Sequence, residues 1–482
     1  MCDCKKIAYL LIIGMLAGMT ACGGDVPAAD TTVGGDVTTA DTVPAETVVT
    51  DDLPDNLDFG GKVIRVLDYD TLVAGSDDGD LVRGMVYKNN LAVEERLNIE
   101  FDFIQANHYS KIPEMVRQSV NAGDDVYDIV FCPAMNIAPT VNEGLYLTVS
   151  SLDHIDLDKP YWKTDYMKSV SVNSKDPTIL YGDICYNYIE RLVGTIFNKQ
   201  MLNKYCGLEA TELYQMVLDG KWTLDQFTSL TKDVYVDLNG NSTRDEEDQF
   251  AILQREYFGY DWLAFSSGLE FTERDADGWP MLNMNTKKTS LLVDKLNKLF
   301  INNESVMSME DNHGHVQRFA DGDVLFLINR LYTCGWDELR QMEDDFGIVP
   351  TPKLDETIDN YHSATGNLVA WGVVPITVSD TAMISAVCEV LASGGYRDVT
   401  PVYYETALKI KYSRDDMSSQ MIDLITENCR TDFLFLNSVG GLGKIFQELW
   451  AEDGSGFASK YASKESSAKT ELAALIKTYN AK

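Results

Sequence analysis

The fold is decided by a segment that begins with Val63-Ile64-Arg65-Val66-Leu67 and ends with Tyr127-Asp128-Ile129-Val130-Phe131, both of them short apolar runs. Between these runs, residues 97–103 alternate apolar and polar side chains, whereas residues 81–97 and 112–120 carry apolar side chains at helical spacing. Because the period changes between that of a strand and that of a helix, the segment predicts a β-α-β-α-β unit. Such units build mainly parallel sheets with helices on both faces.

Ligands of such sheets bind beyond the carboxyl ends of the strands. In this chain those ends are Asp68-Tyr69-Asp70, after the first predicted strand, and Cys132-Pro133-Ala134-Met135-Asn136, after the third predicted strand. We therefore look for a binding site in these two segments and in their counterparts further along the chain.

Length and charge narrow the range of functions. About 425 residues follow residue 57, which is too many for one simple core and predicts two lobes. The chain has 40 Lys and Arg against 75 Asp and Glu, a net charge of −35. An acidic surface argues against nucleic acid or an anionic membrane surface as a partner, and it says little about a neutral ligand.

The N-terminus has the pattern of an export signal. Lys5 and Lys6 precede an apolar stretch over residues 7–19, which is too short to span a bilayer as a permanent helix. The following Thr20-Ala21-Cys22 resembles the lipobox of bacterial lipoproteins, in which the signal is cut before the cysteine and the thiol is lipidated. Residues 1–21 are therefore predicted to be a lipoprotein signal peptide, with Cys22 as the lipidation site. An ordinary secretory signal and an N-terminal membrane anchor are the alternatives.

Residues 22–57 are rich in Thr, Val, Gly and Asp, and they contain no Lys or Arg. The segment lacks a periodic apolar face, so it cannot offset the entropy lost on ordering and is predicted to be a disordered, acidic tether. With two acyl chains on Cys22, the folded body would stay at the membrane without crossing it.

Six cysteines lie beyond Cys22, widely spread and without the spacing of a zinc site. Disulfides are allowed in an exported protein, but the apolar neighbours of most of these cysteines favour small, buried thiols.

Five features follow one another along the chain: Tyr127-Asp128-Ile129-Val130 followed by Glu143-Gly144-Leu145-Tyr146-Leu147, Phe197-Asn198-Lys199, Gly220-Lys221-Trp222-Thr223-Leu224-Asp225-Gln226-Phe227, Phe319-Ala320-Asp321-Gly322-Asp323-Val324-Leu325-Phe326, and Phe346-Gly347-Ile348-Val349-Pro350-Thr351-Pro352-Lys353. They resemble motifs of the extracellular solute-binding proteins of sugar-type ABC importers (bacterial solute-binding protein family 1). Each motif is weak by itself, but their order behind a lipobox makes the resemblance specific.

The resemblance implies an α/β, two-lobe periplasmic-binding-protein-like fold (type II) with a hinged cleft. It places the N-terminal lobe at residues 58–170 plus 362–398 and the C-terminal lobe at residues 171–361 plus 399–482. A small ligand, most simply a carbohydrate, would bind in the cleft and be delivered to ABC permease subunits. The protein would be a monomer without catalytic activity or a catalytic cofactor, anchored by lipid to the outer face of the cytoplasmic membrane. Peptide, polyol and uronate ligands stay open.

Residues 237–248 have the oxygen-ligand spacing of an EF-hand or dockerin-like calcium loop. The ligands, with position seven contributing its carbonyl, are Asp237, Asn239, Asn241, Thr243, Asp245 and Asp248. The loop departs from the usual pattern because Ser242 stands where glycine is normal and position twelve is Asp. The sequence predicts a structural calcium ion, with a metal-free acidic turn as the alternative.

Sugars are bound by aromatic faces and by planar polar groups that take paired hydroxyls. Candidate ligand-binding residues should therefore be aromatic or polar side chains near strand ends. The candidates are Tyr69, Asp70, Tyr186, Trp262, Arg330, Tyr332, Trp336 and Trp371. For each of them, packing in the core or at its rim is the alternative.

Enzymatic functions have little support, because no G-x-S-x-G, HExxH, Walker A or G-x-G-x-x-G motif is present. His313-Gly314-His315 could hold a metal but suits a polar loop equally well. Two alternatives to transport stay open: a surface glycan-binding or adhesion lipoprotein, and a glycoside hydrolase.

Overall fold

The structure is a computed structural model that describes residues 49–69, 72–311, 313–404 and 416–480. Within these ranges the strands are β1 (Lys62–Asp68), β2 (Ile99–Gln105), β3 (Ile129–Pro133), β4 (Val193–Asn198), β5 (Phe250–Arg255), β6 (Thr272–Arg274), β7 (Pro280–Leu282), β8 (Val306–Met309), β9 (Val324–Arg330), β10 (Phe346–Pro350) and β11 (Ala370–Val373). The helices are α1 (Leu81–Leu97), α2 (Ile112–Ala122), α3 (Ala134–Glu143), α4 (Thr164–Val170), α5 (Asn187–Glu190), α6 (Lys199–Met201), α7 (Ala210–Leu218), α8 (Leu224–Leu230), α9 (Phe258–Ser266), α10 (Lys287–Phe300), α11 (Gly314–Ala320), α12 (Asp337–Gln341), α13 (Thr381–Gly394), α14 (Thr400–Tyr403), α15 (Asp416–Glu427), α16 (Phe433–Asn437), α17 (Ile445–Ala451) and α18 (Phe457–Asn480).

The first sheet has the strand order β11-β3-β1-β2. Strand β1 pairs in parallel with β2 and β3, and only β11, which arrives from much later in the chain, is antiparallel. Strand β3 is buried along its whole length, as expected of a central strand covered on both faces. The predicted β-α-β-α-β unit is thus present, with its strands within two residues of their predicted bounds.

Helix α1 shows why the connections between these strands are helical. Its first turn is capped by the carboxylate of Asp80, which accepts a hydrogen bond from the Arg83 backbone N–H at 2.8 Å. The helix ends at Asn98, whose φ of 51° is left-handed and turns the chain into β2. Val86, Val93 and Leu97 bury one face of the helix in the core.

The second sheet has the order β10-β4-β9-β5-β8. Strand β9 pairs in parallel with β5, which pairs in parallel with β8, whereas β4 is antiparallel to both β9 and β10. A short antiparallel hairpin of β6 and β7 forms a third, separate sheet. The predicted α/β class with flanking helices is confirmed, but the sheets are mixed rather than mainly parallel: among the described strands, four pairs are parallel and four are antiparallel.

Residues 365–369 cross between the two large sheets and are hydrogen-bonded to both. Thr365 pairs with Leu192, directly before β4, and the Gly366 N–H donates to the Arg191 carbonyl at 3.0 Å. At the other end, the Ala134 N–H after β3 donates to the Val369 carbonyl at 2.8 Å. This crossing segment therefore brings an edge of the second sheet next to the carboxyl end of β3 in the first.

The structure corrects the predicted end of the tether. Residues 49–57 lie against the folded body, because the buried carboxylate of Asp51 forms a two-point ion pair with Arg96 at 2.6 and 2.7 Å. The Asp51 N–H also donates to Ser393 Oγ at 3.1 Å, and Leu53 packs against the core. An isolated sequence pattern could not show these long-range partners. Residues 49–57, which the sequence assigns to the tether, therefore pack on the folded body instead.

The predictions for the signal peptide, for lipidation at Cys22 and for most of the tether lie outside the described residues, and the lobe boundaries stay predictions. Among the helices in the described ranges, none combines the length and apolarity needed to cross a bilayer. The six described cysteines are all unbridged thiols. Four are buried, and Cys206 and Cys429 are partly buried.

Candidate functional site

Three arginines lie on the side of the second sheet where strands β5 and β9 end. Arg255 and Arg330 end the parallel strands β5 and β9, so their side chains start from the same edge. Arg191 lies two residues before β4, which is antiparallel to β9 with Val193 opposite Arg330. The register therefore places the start of β4 beside the ends of β9 and β5, although these residues are far apart in sequence.

Aromatic side chains surround these cations. The Arg330 guanidinium lies 5.6 Å from the ring centroid of Trp262, on α9, and 5.1 Å from that of Tyr332. The Arg191 guanidinium lies 4.8 Å from the same Tyr332 ring. Tyr332 in turn meets Trp336 edge-to-face, with 5.4 Å between centroids. A tight 3-10 turn over Leu331–Gly335, directly after β9, brings these aromatic side chains back toward the strand end.

His313 covers one face of Trp336. The two rings stack with centroids 4.2 Å apart and planes 18° apart, and His313 Nδ1 lies 3.4 Å from a carboxylate oxygen of Glu338. His315 is buried, and its Nε2 is 3.2 Å from Asn329 Nδ2. Burial lowers the pKa of His315 to about 4, and the charge of Arg255 adds to this effect, so the ring is neutral at neutral pH.

The corresponding edge of the first sheet presents Tyr69, directly after β1. The Asp68 carboxylate holds this turn by accepting the Tyr69 N–H at 2.6 Å and the Val73 N–H at 3.1 Å. Tyr69 packs edge-to-face on Tyr109 with centroids 5.6 Å apart. Burial raises the pKa of Tyr69, and the charge of Arg191 opposes the rise, which places that guanidinium within electrostatic reach of Tyr69.

The crossing segment passes through this site. A Cβ added at Gly366 would lie 3.2 Å from Arg330 Cδ, so glycine leaves room for the arginine stem. The Met135 N–H donates to the Asn367 carbonyl at 3.1 Å, which ties the same segment to the end of β3. The crossing segment therefore lies against Arg330 in the second sheet and is tied to the end of β3 in the first.

Four of the predicted ligand-binding residues are brought together here: Trp262, Arg330, Tyr332 and Trp336. Tyr69 lies at the end of β1 in the first sheet, buried against Tyr109, and Asp70 lies outside the described residues. Trp371 is only 2% exposed, and its indole N–H donates to Tyr166 Oη at 3.3 Å, so the structure places it in the core. Tyr186 packs on Tyr403 at 5.8 Å and lines a small internal cavity, without contact to the aromatic group.

Sequence reasoning missed Arg191 and Arg255, and it considered His313 only as a possible metal ligand, not as part of this site. Arg255 ends an apolar strand, as Arg330 does, so a search for arginines at strand ends could have found it. Arg191 and His313 carry no such signal, because they reach the site only through the antiparallel register of β4 and the turn after β8.

The predicted calcium loop is folded back on itself. Asp237 accepts the backbone N–H groups of Gly240 at 2.7 Å and Ser242 at 2.9 Å. Ser242 has a φ of 59°, the left-handed conformation that glycine usually supplies at this position. Asp248 is buried and accepts the Tyr235 hydroxyl at 2.9 Å. Within the described ranges, no three His, Cys, Asp or Glu side chains are placed to hold a metal, so calcium binding stays a prediction.

A second groove, of about 800 Å³, lies away from the aromatic group. Two of its cations have partners within the protein: Arg430 forms an ion pair with Glu270 at 2.7 Å, and Arg274 donates to the Ser169 carbonyl at 2.6 Å. The Asp432 carboxylate likewise accepts the backbone N–H groups of Phe271 and Thr272. These contacts hold α16 to the β6–β7 hairpin, which is a structural role.

Neither a protein-family profile nor a curated protein sequence matches the chain. Its fold is similar to that of M. tuberculosis UspC, with a TM-score of 0.54 and 14% identity, covering 85% of this chain and 100% of that one. It is also similar to a cyclo/maltodextrin-binding protein complexed with maltotetraose, with a TM-score of 0.53 and 13% identity over 87% and 96% of the two chains. A third similar structure is the galacto-N-biose-/lacto-N-biose I-binding protein of an ABC transporter from Bifidobacterium longum, with a TM-score of 0.53 and 13% identity over 88% and 98%. The two-lobe periplasmic-binding-protein-like fold is confirmed.

Proposed function

We propose that this protein is an extracellular solute-binding protein that captures a saccharide between its two large sheets and delivers it unchanged to an ABC permease. The observation that carries the proposal is the group of Trp262, Arg330, Tyr332 and Trp336 around the end of β9 in the second sheet, beside the crossing segment that leads to β3 of the first. In a two-lobe fold, a ligand that contacts both edges favours the closed form.

The chemistry of this group suits a sugar. Aromatic rings pack against the C–H faces of a pyranose, and planar donors bind its hydroxyl pairs. Trp336 is partly exposed, and His313 stacks on one face of its indole. The opposite face is the surface on which we expect a sugar ring to stack. Arg330 supplies planar N–H donors beside it.

The similar structures support the ligand class and the transport role. One is complexed with maltotetraose, and another binds lacto-N-biose as part of an ABC transporter. Because sequence identity to them is 13%, the individual sugar cannot be transferred, and the class of ligand is the level at which they support this proposal.

The lipobox-like segment before Cys22 supports anchoring at the cell surface, on the outer face of the cytoplasmic membrane. A monomer held there by lipid alone would need no transmembrane helix of its own to reach a permease. Mass spectrometry of the mature N-terminus tests this part: we expect a diacylated peptide that begins at Cys22, and Cys22→Ser should abolish the modification. A mature chain that begins elsewhere would contradict the anchor without affecting ligand capture.

The binding role is tested by thermal-shift and calorimetric titration of the protein with mono- and oligosaccharides. A binding protein should be stabilised by a small sugar, by about 2.7 kcal/mol at a ligand concentration a hundredfold above Kd. We expect Trp336→Ala to lose this stabilisation. Trp279→Ala is the matched control, because Trp279 packs on Tyr479 beside the β6–β7 hairpin, away from the site.

The same samples separate the competing functions. An adhesion protein would bind polymeric glycan but no small sugar, and a glycoside hydrolase would release new reducing ends from the bound saccharide. Either result, or an affinity that Trp336→Ala leaves unchanged, would contradict the proposal.

A further inference from the structure

We infer that the ligand of this site is an acidic saccharide, whose carboxylate or sulfate group is held by Arg191 and Arg330. The inference rests on the proposed function, since it assumes that the space between the two sheet edges is where the ligand binds. It goes beyond the proposal by assigning a charge to the ligand.

Arg191 and Arg330 differ from several other arginines of the described chain in lacking an ion pair. Six of them form ion pairs with carboxylates within the protein: Arg65, Arg96, Arg117, Arg318, Arg397 and Arg430. Arg191 and Arg330 form no ion pair with a described residue, and the Nε of each is buried without a hydrogen-bond partner there. In a chain with 75 Asp and Glu, a shortage of carboxylates does not explain this.

The guanidinium groups of Arg191 and Arg330 also lie close to each other. Both guanidinium groups lie over the ring of Tyr332, at 4.8 and 5.1 Å. The aromatic ring attracts each cation but does not neutralise it. Burial lowers the pKa of Arg330, and the positive charges of Arg191 and Arg255 contribute to the same effect. Two partly buried like charges without an ion-pair partner among the described residues repel each other, which favours binding of an anion beside them.

Two acidic side chains lie next to these groups in sequence. Glu190 precedes Arg191; its carboxylate accepts a hydrogen bond from Asn187 Nδ2 at 3.3 Å, and burial raises its pKa while the charge of Arg191 opposes the rise. Asp261 precedes Trp262, and its carboxylate accepts a hydrogen bond from Gln447 Nε2 at 3.2 Å. Neither carboxylate forms an ion pair with Arg191 or Arg330, although Glu190 offsets part of the charge of Arg191.

The combination of groups indicates what kind of anion fits. A guanidinium presents its N–H groups as a planar fork that matches carboxylate and sulfate oxygens. Tyr332 lies against both arginines and touches Trp336, so an anionic group on the arginines would place the remainder of the molecule on aromatic faces. A sugar ring bearing an acidic substituent satisfies both halves of the site.

The experiment is calorimetric titration of the lipid-free mature protein with matched pairs of sugars. Digalacturonate is compared with galactobiose of the same linkage, and N-acetylgalactosamine 6-sulfate with N-acetylgalactosamine, so that the two arms separate carboxylate from sulfate. We expect one acidic member to bind about 30-fold or more tightly than its neutral partner. We also expect this preference to shrink as salt is raised from about 50 to about 500 mM.

Arginine variants test whether Arg191 and Arg330 cause the preference for an acidic sugar. Arg330→Gln and Arg191→Gln should each lose the preference for the acidic sugar, whereas Arg330→Lys should keep part of it because the charge remains without the fork. Arg117→Gln is the control, since Arg117 is on the surface in ion pairs with Glu114 and Glu143. Melting curves verify that each variant is folded, and Arg330→Lys keeps the test decisive if a glutamine variant does not fold.

The results separate a failure of the acidic-saccharide inference from a failure of the proposed function. Neutral sugars that bind as tightly as acidic ones, or a preference that survives in all three arginine variants, would overturn the inference and leave the proposed function standing. A protein to which no saccharide binds, neutral or acidic, would overturn both.

Discussion

Asp261 is buried in α9 beside Trp262, and its replacement tests how a buried carboxyl group changes the pH dependence of stability. Its side chain is 3% exposed, one oxygen accepts the Gln447 amide, and the other oxygen has no hydrogen-bond partner in the described structure. Burial raises the pKa of Asp261 to about 7, above the ordinary value of 3.8. The folded protein therefore holds a proton on this carboxyl group that the unfolded chain has already released at neutral pH.

The direction of the pH effect follows from this difference. Between about pH 4 and pH 7 the unfolded chain binds fewer protons than the folded protein, so the free energy of unfolding falls as pH rises. The gap between the two pKa values corresponds to a penalty of about 4 kcal/mol at pH 8. Asp261→Asn removes the charge but leaves a buried amide N–H₂ in place of the unpartnered oxygen, which costs about 1–3 kcal/mol. We expect a net gain of about 1–3 kcal/mol at pH 8.

The measurement is urea unfolding of the parent and the variant at pH 5 and pH 8. The gain should be absent at pH 5, because the penalty there is only about 1–2 kcal/mol and the cost of the buried amide offsets it. The comparison must be between variant and parent, because burial also raises the pKa of Asp183 to about 6. Asp219→Asn is the control: Asp219 is exposed, and hydrogen bonds from Gln215 and Lys221 lower its pKa, so no gain is expected. An Asp261→Asn variant destabilised equally at both pH values would refute the reasoning.

Three further predictions concern other parts of the chain. Arg96→Ala should release residues 49–57, because Asp51 loses its ion pair, and limited proteolysis should cut there sooner; an unchanged cleavage pattern would contradict this. Trp222→Phe should lower the free energy of unfolding by about 2–4 kcal/mol, since the fully buried indole donates to the Pro350 carbonyl at 2.8 Å; saccharide affinity should not change, and a stability loss below about 1 kcal/mol would count against a structural role. For residues 237–248 we propose a bound calcium ion: millimolar calcium should raise the melting temperature, Asp237→Asn should abolish the rise, and no rise in the parent protein would favour the metal-free turn.

Local sequence patterns were sufficient to predict the fold where each strand and helix has a clear apolar period. The first unit was predictable because its strands and helices each have a distinct period, and α1 lies at Leu81–Leu97 as predicted. The mixed order of the second sheet was not predictable, since β4 and β10 are antiparallel neighbours that meet only through long-range pairing. The anchoring of Asp51 on Arg96 was missed for the same reason.

The candidate site was predicted in part. The turn after β9 brings Arg330, Tyr332 and Trp336 together because they are close in sequence, and a local argument suffices there. Arg191 reaches the same place only through the register of β4 against β9, which no local pattern encodes. Trp371 looked equally suitable, but β11 pairs with the wholly buried β3, and the indole is enclosed with Tyr166. An aromatic residue on a strand is thus a weaker indicator of a sugar site than one in the turn that follows.

The hydrogen bonds of residues 365–369 have a mechanical consequence. The segment is fixed at one end to Leu192 and Arg191 and at the other to Ala134, so a swing of one half against the other must be taken up by the torsion angles between those points. If the hinge expected of a two-lobe fold runs through this segment, Arg330 would move little and the far rims a great deal. Two fluorophores attached at the distant rims would then report occupancy optically, by energy transfer, while Arg191 and Arg330 stay nearly still.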